Sequence, residues 1–367
     1  MKKITYIYTG GRIKKLNSIE YADDFFYGSR QFLDKNYEIN IIELKKSNFI
    51  INKFEHIISK LFSLPLYVFS LLSFKNYKII KNSDYIFLIS ESTGFAALPV
   101  LYFVKKVSKV KVFMFVMGLY SKDINYKIFK QQHKKLINKL HNYIDGMYFL
   151  GKGELNIAKS IYHSNSKLKY LPFHVDNKFW DYPNIDIAKN KNILFIGNDG
   201  NRNFLLVNDI ARKLQNFNFI FISSNQEILN NKLENVTVIK GKWGNSSLTD
   251  LELKKIYSKA RLVILPLINS TQPSGQSVAL QAMSVGVPVL ISKTDGFWDY
   301  ENFVHNESIF FVNEGIHNWV NDIESVYENV ELLFRVSNTA KQLVNKTYDN
   351  NLLFRFLLKE INNNINF

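Results

Sequence analysis

The chain has 367 residues, 46% hydrophobic, 15% aromatic and 22% charged, with no cysteine. That describes a globular protein of two or three domains, and it excludes a disordered chain, a disulfide scaffold, a thiolate zinc site and a cysteine nucleophile. The formal net charge of +15 is lopsided: residues 1–175 hold 28 Lys+Arg against 12 Asp+Glu, and residues 176–367 hold 19 against 20.

The first element is a strand over Ile4–Tyr8. The apolar run there is too short for a signal peptide and lacks a small-residue cleavage site. The strand ends in Thr9-Gly10-Gly11-Arg12, where glycines let the backbone approach a ligand and aim N–H groups at an anion. A helix is predicted over Glu20–Lys35. It carries Asp23-Asp24, which are adjacent and do not make a D-x-D pair for a metal–diphosphate. Strand Tyr37–Leu44 follows. Leu61–Phe74 has 14 residues and contains Pro65, whereas a membrane span needs about 20. It reads as a half-buried helix pair or, more sharply, as a helix lying on a bilayer surface. Strands Tyr85–Ser90 and Val110–Val116 flank a helix over Thr93–Lys106. Helix Asn125–Tyr143 and strands Met147–Leu150 and Leu168–Leu171 complete the first half.

Pro172–Lys191 holds two prolines and a polar run without periodicity, and reads as a seam. Strands then recur at Ile193–Ile196, Phe217–Ile222, Val236–Ile239, Leu262–Leu265 and Val287–Ile291. Helices Arg202–Leu214 and Ser274–Val285 lie between them, and Asp322–Phe367 reads as consecutive helices. Short continuous apolar runs suit strands covered on both faces, as in parallel sheets. Their alternation with helices is βαβ punctuation, repeated in two halves.

The excess charge concentrates in Lys45–Lys81, with seven Lys and one Glu, and in Lys105–Lys139, with ten Lys and one Asp. Such a field attracts phosphates. Lys dominates over Arg, and no zinc-finger, helix-turn-helix or RNP-type signature accompanies it, so a membrane surface or lipid diphosphate ranks above nucleic acid.

Two loops carry chemistry besides Gly10-Gly11. Gly197-Asn198-Asp199-Gly200-Asn201-Arg202-Asn203 follows the strand that opens the second half. In a doubly wound sheet such loops form the ligand crevice. Arg202 stands at a predicted helix start, where a cation opposes the local dipole, and that placement favours a phosphate ligand over a plain surface arginine. Further on, Gln272, Ser274, Gly275, Gln276 and Ser277 lead into a helix that contains Gln281, a cradle for a hydroxylated or phosphorylated ligand. His174 lies at the seam, where a lone histidine reads as structural.

Taken in order, these segments resemble a retaining GT-B glycosyltransferase of the large bacterial group 1, family-4-like type. Gly10-Gly11 is similar to that family's turn after strand one. Leu171-Pro172-Phe173-His174-Val175-Asp176 with Phe179-Trp180 resembles its "IPNGVD…F" junction, and Gly197–Asn203 its phosphate loop. Ala279-Leu280-Gln281-Ala282-Met283 with Gly286-Val287-Pro288-Val289 resembles "ALEAM…GVPVV". The chain departs from the family by lacking the Glu-x7-Glu pair. Gln281 stands at the second Glu, Pro273 at the first, and Met117 at the family's usual histidine after the fourth strand.

The resemblance implies two doubly wound Rossmann-like domains facing across a cleft. Residues 1–175 would form an acceptor domain, 176–345 a nucleotide-sugar domain, and 346–367 a helix returning to the first. It implies sugar transfer from a nucleotide sugar to a glycan or lipid-linked acceptor, without metal or other cofactor, in surface polysaccharide or glycoconjugate synthesis. The enzyme would lie at the inner face of the cell membrane, with Lys75, Lys78 and Lys81 meeting anionic lipid. Front-face retention needs no strong protein base, because the leaving phosphate oxygen takes the acceptor proton. Arg202, Gln276 and Ser274 are then the expected catalytic residues. Gly10, Gly11, Asn198, Gly275, Ser277 and Gln281 join them around the donor, with Gln281 on the ribose. A sugar-nucleotide epimerase or a non-catalytic subunit of a polysaccharide assembly complex would share the same fold.

Overall fold

The computed structural model of the chain describes residues 1–35, 37–44, 48–121, 127–163, 166–183, 185–241 and 248–363. It divides into two compact units, one of residues 1–17, 26–172 and 356–367 and one of residues 18–25 and 173–355.

The first unit is built on β1 (Lys3–Tyr8), β2 (Glu38–Glu43), β3 (Tyr85–Leu88), β4 (Lys111–Val116), β5 (Gly146–Phe149) and β6 (Leu168–Tyr170). Their order is β2-β1-β3-β4-β5-β6, and all pairs are parallel. β3 and β5 are buried along their whole length, which is why they read as unbroken apolar runs. On one face Leu88, Val112 and Met114 pack into an aliphatic core with Phe95 and Leu101 of the helix Glu91–Val107. The other face carries an aromatic row: Tyr6, Phe87, Phe113 and Tyr148 stack across four neighbouring strands with centroid separations of 5.0, 5.4 and 5.7 Å. Such cross-strand aromatic pairs stabilise a sheet beyond simple burial.

The second unit repeats the plan with β7 (Asn192–Ile196), β8 (Asn218–Ser223), β9 (Val236–Lys240), β10 (Ala260–Leu265), β11 (Val289–Ser292) and β12 (Phe310–Val312). The order is β12-β11-β10-β7-β8-β9, again all parallel. Phe195, Phe221, Ile264 and Leu290 meet Trp319 and Ile323 of the helix Ile316–Glu328 in its core. The last helix, Asn350–Asn363, starts in this unit and ends in the first.

Three expectations are corrected. No long helix covers Glu20–Lys35: a 3-10 turn at Asp24–Phe26 precedes a short helix at Ser29–Leu33. Tyr27 and Gly28 separate them with φ of 47° and 84°, values incompatible with helix. Residues 18–25 join the second unit. Leu61–Phe74 is neither a helix pair nor a surface helix. The helix Phe49–Phe62 ends at its start, the next begins at Phe74, and Leu64, Leu66 and Leu71 of the linker are buried in the core. β12 has only three residues, too few to register as a period in the sequence. The expected helix Asn125–Tyr143 is observed as Lys130–Tyr143 behind a 3-10 turn, Lys127–Phe129, and Asn125 lies outside the described residues. Among the described residues no helix is long and apolar enough to cross a membrane.

Candidate functional site

The second unit holds a cavity of about 470 Å³ where β7 and β8 end and the helix Gln276–Val285 begins. Ligand crevices of doubly wound sheets open at the carboxyl ends of strands, and the volume falls in the ~300–1,000 Å³ range of small-molecule sites.

Arg202 lines this cavity and is only 4% exposed. It is not a first-turn helix residue. The helix starts at Phe204, and Asn203 caps it by accepting from Leu206 N at 3.1 Å. The Arg202 side chain folds back against Gly197, where a Cβ would sit 2.6 Å from its Cγ and Nε, so only glycine admits this path. Its guanidinium donates to Ser274 Oγ at 2.8 Å and pairs with Asp199 Oδ2 at 3.0 Å. Burial lowers the guanidinium pKa from its usual value, and Asp199 opposes that shift. Ser274 Oγ also donates to Asp199 Oδ1 at 3.1 Å, so the three side chains brace one another.

The expected residues divide by place. Asn198, Arg202, Ser277 and Gln281 line the cavity. Asn198 is committed to the scaffold: its Nδ2 donates to Gly241 O at 3.0 Å, and its Oδ1 accepts from Ser224 N at 2.6 Å and Ser224 Oγ at 2.7 Å. Gly275 precedes the helix with φ of 82°, a left-handed conformation that favours glycine. Gln276 is buried, and its Oε1 accepts from Phe173 N at 3.3 Å. Ser274 thus braces Arg202, Gly275 and Gln276 lie at the helix entrance, and none of the three lines the cavity. His174 is buried with its ring 6.4 Å from that of Tyr348.

Gly10 and Gly11 belong to the first unit, after β1, with Gly11 at φ of 95°. The amides that follow are already engaged. Ile13 N donates to Glu43 Oε1 at 2.6 Å, and Arg12 N donates to the same oxygen. A carboxylate of the chain itself therefore sits on the two amides that follow the Gly10-Gly11 turn.

Gln281 is part of a buried polar group. Its Nε2 donates to Asp24 Oδ2 at 2.7 Å, and its Oε1 accepts from Tyr257 Oη at 3.3 Å. Asp24 Oδ2 also accepts from Trp180 Nε1 at 2.8 Å, and its Oδ1 from Asp176 N at 2.6 Å. Burial pushes the Asp24 carboxyl well above the usual carboxylate range, against the pull of these donors.

Sequence reading missed Asp24, Asp250 and Tyr257. Asp250 lines the cavity beside Thr249. Thr249 begins a capping box, accepting from Glu252 N at 3.2 Å while its own N donates to Glu252 Oε2 at 2.7 Å. The T-D-L-E string carries that signal and could have placed a helix start here. Among the described residues, no group of three or more His, Cys, Asp or Glu side chains could hold a metal ion.

Comparison with known proteins bears on the same region. Residues 190–329 match the family described as glycosyl transferases group 1. No curated protein matches the chain. Sucrose-phosphate synthase from Thermosynechococcus elongatus superposes with a TM-score of 0.73 at 12% identity, over 99% of each chain. HepE of Anabaena in complex with UDP and glucose does so at 0.69 and 15%, over 99% of this chain and 100% of its own. A candidate UDP-N-acetylglucosamine 2-epimerase from Listeria monocytogenes reaches 0.57 at 12%, over 100% and 96%. The two six-stranded parallel sheets are therefore the GT-B fold. With the group 1 domain on that fold, the protein is a glycosyltransferase.

Proposed function

We propose that the protein transfers a sugar from a nucleoside-diphosphate sugar to a glycan or lipid-linked acceptor in surface polysaccharide or glycoconjugate synthesis. Transfer proceeds with retention and without metal, at the inner face of the cell membrane. The observation that carries this is the buried Arg202 in the cavity of the unit that matches the glycosyltransferase family. Its present counter-ion, Asp199, is half exposed, and a diphosphate entering the cavity takes its place. The desolvated guanidinium then absorbs charge as the leaving diphosphate departs, the role a metal plays in other transferases. Ser277 binds the donor within the cavity. Gln281 spends one N–H on Asp24 and one lone pair on Tyr257, and the remaining N–H and lone pair serve a ribose hydroxyl. The solved relative bound to UDP and glucose supports a nucleotide-sugar donor. The Lys-rich first half supports an anionic acceptor met at an anionic membrane.

The test is calorimetric titration of UDP and GDP into the wild-type protein and Arg202→Ala. Loss of a charge-assisted phosphate contact lowers affinity roughly ten- to hundredfold, or about 1.5–3 kcal/mol. Unchanged affinity for every nucleotide that binds would remove Arg202 from this role. The fold is shared with an epimerase relative, so product analysis without acceptor separates the two activities. An epimerase releases an isomerised nucleotide sugar, whereas a transferase releases nucleotide and free sugar slowly by hydrolysis.

A further inference from the structure

The helix Phe49–Phe62 is amphipathic in an unusual sense. Its inward face is formed by Ile58 and Phe62, packed against the first unit's core, and by Glu55, which is 2% exposed and accepts from Phe69 N at 2.9 Å. Its outward face carries Phe49, Ile50, Phe54 and Ile57, exposed by 81, 77, 53 and 49%. Lys53, His56 and Lys60 are interspersed among them and exposed as well. A surface helix ordinarily turns polar residues of both signs to water. Here the only acid faces inward, and every exposed large side chain is apolar or basic.

The linker that follows extends this surface. Leu66 N donates to Ser59 Oγ at 2.9 Å, which together with the Phe69–Glu55 bond folds the linker back along the helix. Tyr67, Phe69, Leu72 and Phe74 remain exposed along it. The next helix, Phe74–Lys81, adds Lys75, Lys78 and Lys81, all exposed, and has no acid. Bulky apolar groups set among lysines, with the acid withdrawn, match a hydrocarbon boundary beneath anionic headgroups.

We infer that the outward face of the helix Phe49–Phe62 inserts into the surface of an anionic bilayer, with Phe49, Ile50 and Phe54 as anchors and Lys53 and Lys60 at headgroup level. This rests on the reading above that the enzyme meets its acceptor at such a membrane. It replaces the Leu61–Phe74 segment as the inserting element.

The experiment is co-sedimentation of the full chain with vesicles of equal phosphatidylglycerol and phosphatidylcholine, and with phosphatidylcholine alone. Three proteins are compared: wild type, a Phe49→Ser/Ile50→Ser/Phe54→Ser variant, and a Lys75→Glu/Lys78→Glu/Lys81→Glu variant. The substituted groups point to solvent, and matching melting curves confirm that each variant is folded. Binding to the anionic vesicles is expected, with the serine variant weakened about tenfold or more. A Phe54→Trp reporter should be quenched by brominated lipid. Anionic binding that the serine variant retains, with no quenching at position 54, overturns the inference while leaving a membrane-bound enzyme held by its lysines. No binding to either vesicle overturns both the inference and the membrane part of the reading, and nucleotide titration of the same preparation shows whether the donor reading survives. Self-association abolished by the serine variant, without lipid binding, also overturns it and makes the face a contact between copies.

Discussion

Gln281 Nε2 lies 2.7 Å from Asp24 Oδ2, a buried bond between residues 257 positions apart. The position that resembles the family's ribose-binding Glu is thus filled by an amide whose neighbour is a carboxylate. An amide donates to that carboxylate, whereas a second carboxylate would repel it. The local chemistry explains why Gln281 is suited to this chain.

Gln281→Glu would place two carboxyls in one buried site, and they would share a proton. Asp24 already has its folded-state pKa raised by burial. A raised carboxyl contributes stability below its unfolded pKa and loses it as pH rises through the folded value. The variant should therefore lose about 2–4 kcal/mol near pH 7.5 and regain most of it towards pH 5. Thermal melts of both proteins across that range measure the gap, and a gap that does not change with pH would refute the shared-proton argument.

Gly197 gives a second route to Arg202. An alanine Cβ would sit 2.6 Å from the Arg202 Cγ and Nε, so the guanidinium must leave its place beside Ser274. Gly197→Ala is expected to lower nucleotide affinity roughly tenfold or more, comparable to losing one charge-assisted contact. Calorimetry measures this in a protein that keeps every charge. Wild-type affinity would mean that the position of Arg202 does not matter to the ligand.

Residues 18–25 belong to the second unit although they come early in the chain. Ala22 N donates to Asp250 Oδ2 at 3.1 Å, and Leu251 N donates to Glu20 O at 3.0 Å. Asp250→Ala removes the first contact and should cost about 1–2 kcal/mol. Limited proteolysis should then cut faster within residues 18–25, and a cleavage pattern identical to wild type would show that Asp250 does not hold the segment.

What could be read from the sequence follows from how local each feature is. β3 and the Leu262–Leu265 stretch of β10 are unbroken apolar runs because both faces are covered, and that burial is written in consecutive residues. The Gly197–Asn203 loop was legible for the same reason: a strand, a glycine and a helix start are neighbours in sequence. The run Glu20–Lys35 misled because its aromatics suggest helical periodicity, while the break depends on positive φ at Tyr27 and Gly28. The buried role of Asp24 is not legible in the sequence because its partners, Gln281 and Trp180, are remote in the chain. Phe49 and Ile50 face solvent, and apolar character alone does not say which way a helix turns.

Glu360, on the last helix, offers a control on the first unit. It is 8% exposed, accepts from Tyr148 Oη at 3.1 Å, and pairs with Lys169 Nζ at 2.6 Å. Tyr148 is the end member of the aromatic row, and burial raises its hydroxyl pKa with Glu360 adding to the shift. Glu360→Ala leaves the Tyr148 hydroxyl without this acceptor and Lys169 without its ion pair. The expected cost is about 1–3 kcal/mol, whereas Glu360→Gln, which still accepts from Tyr148, should cost less. All three residues lie in the first unit, so UDP and GDP affinity should stay at wild-type values in both variants while melting temperature falls. Nucleotide affinity that falls in step with stability would mean that the donor cavity depends on the first unit's helix anchor, and the assignment of that cavity to the second unit alone would have to be abandoned.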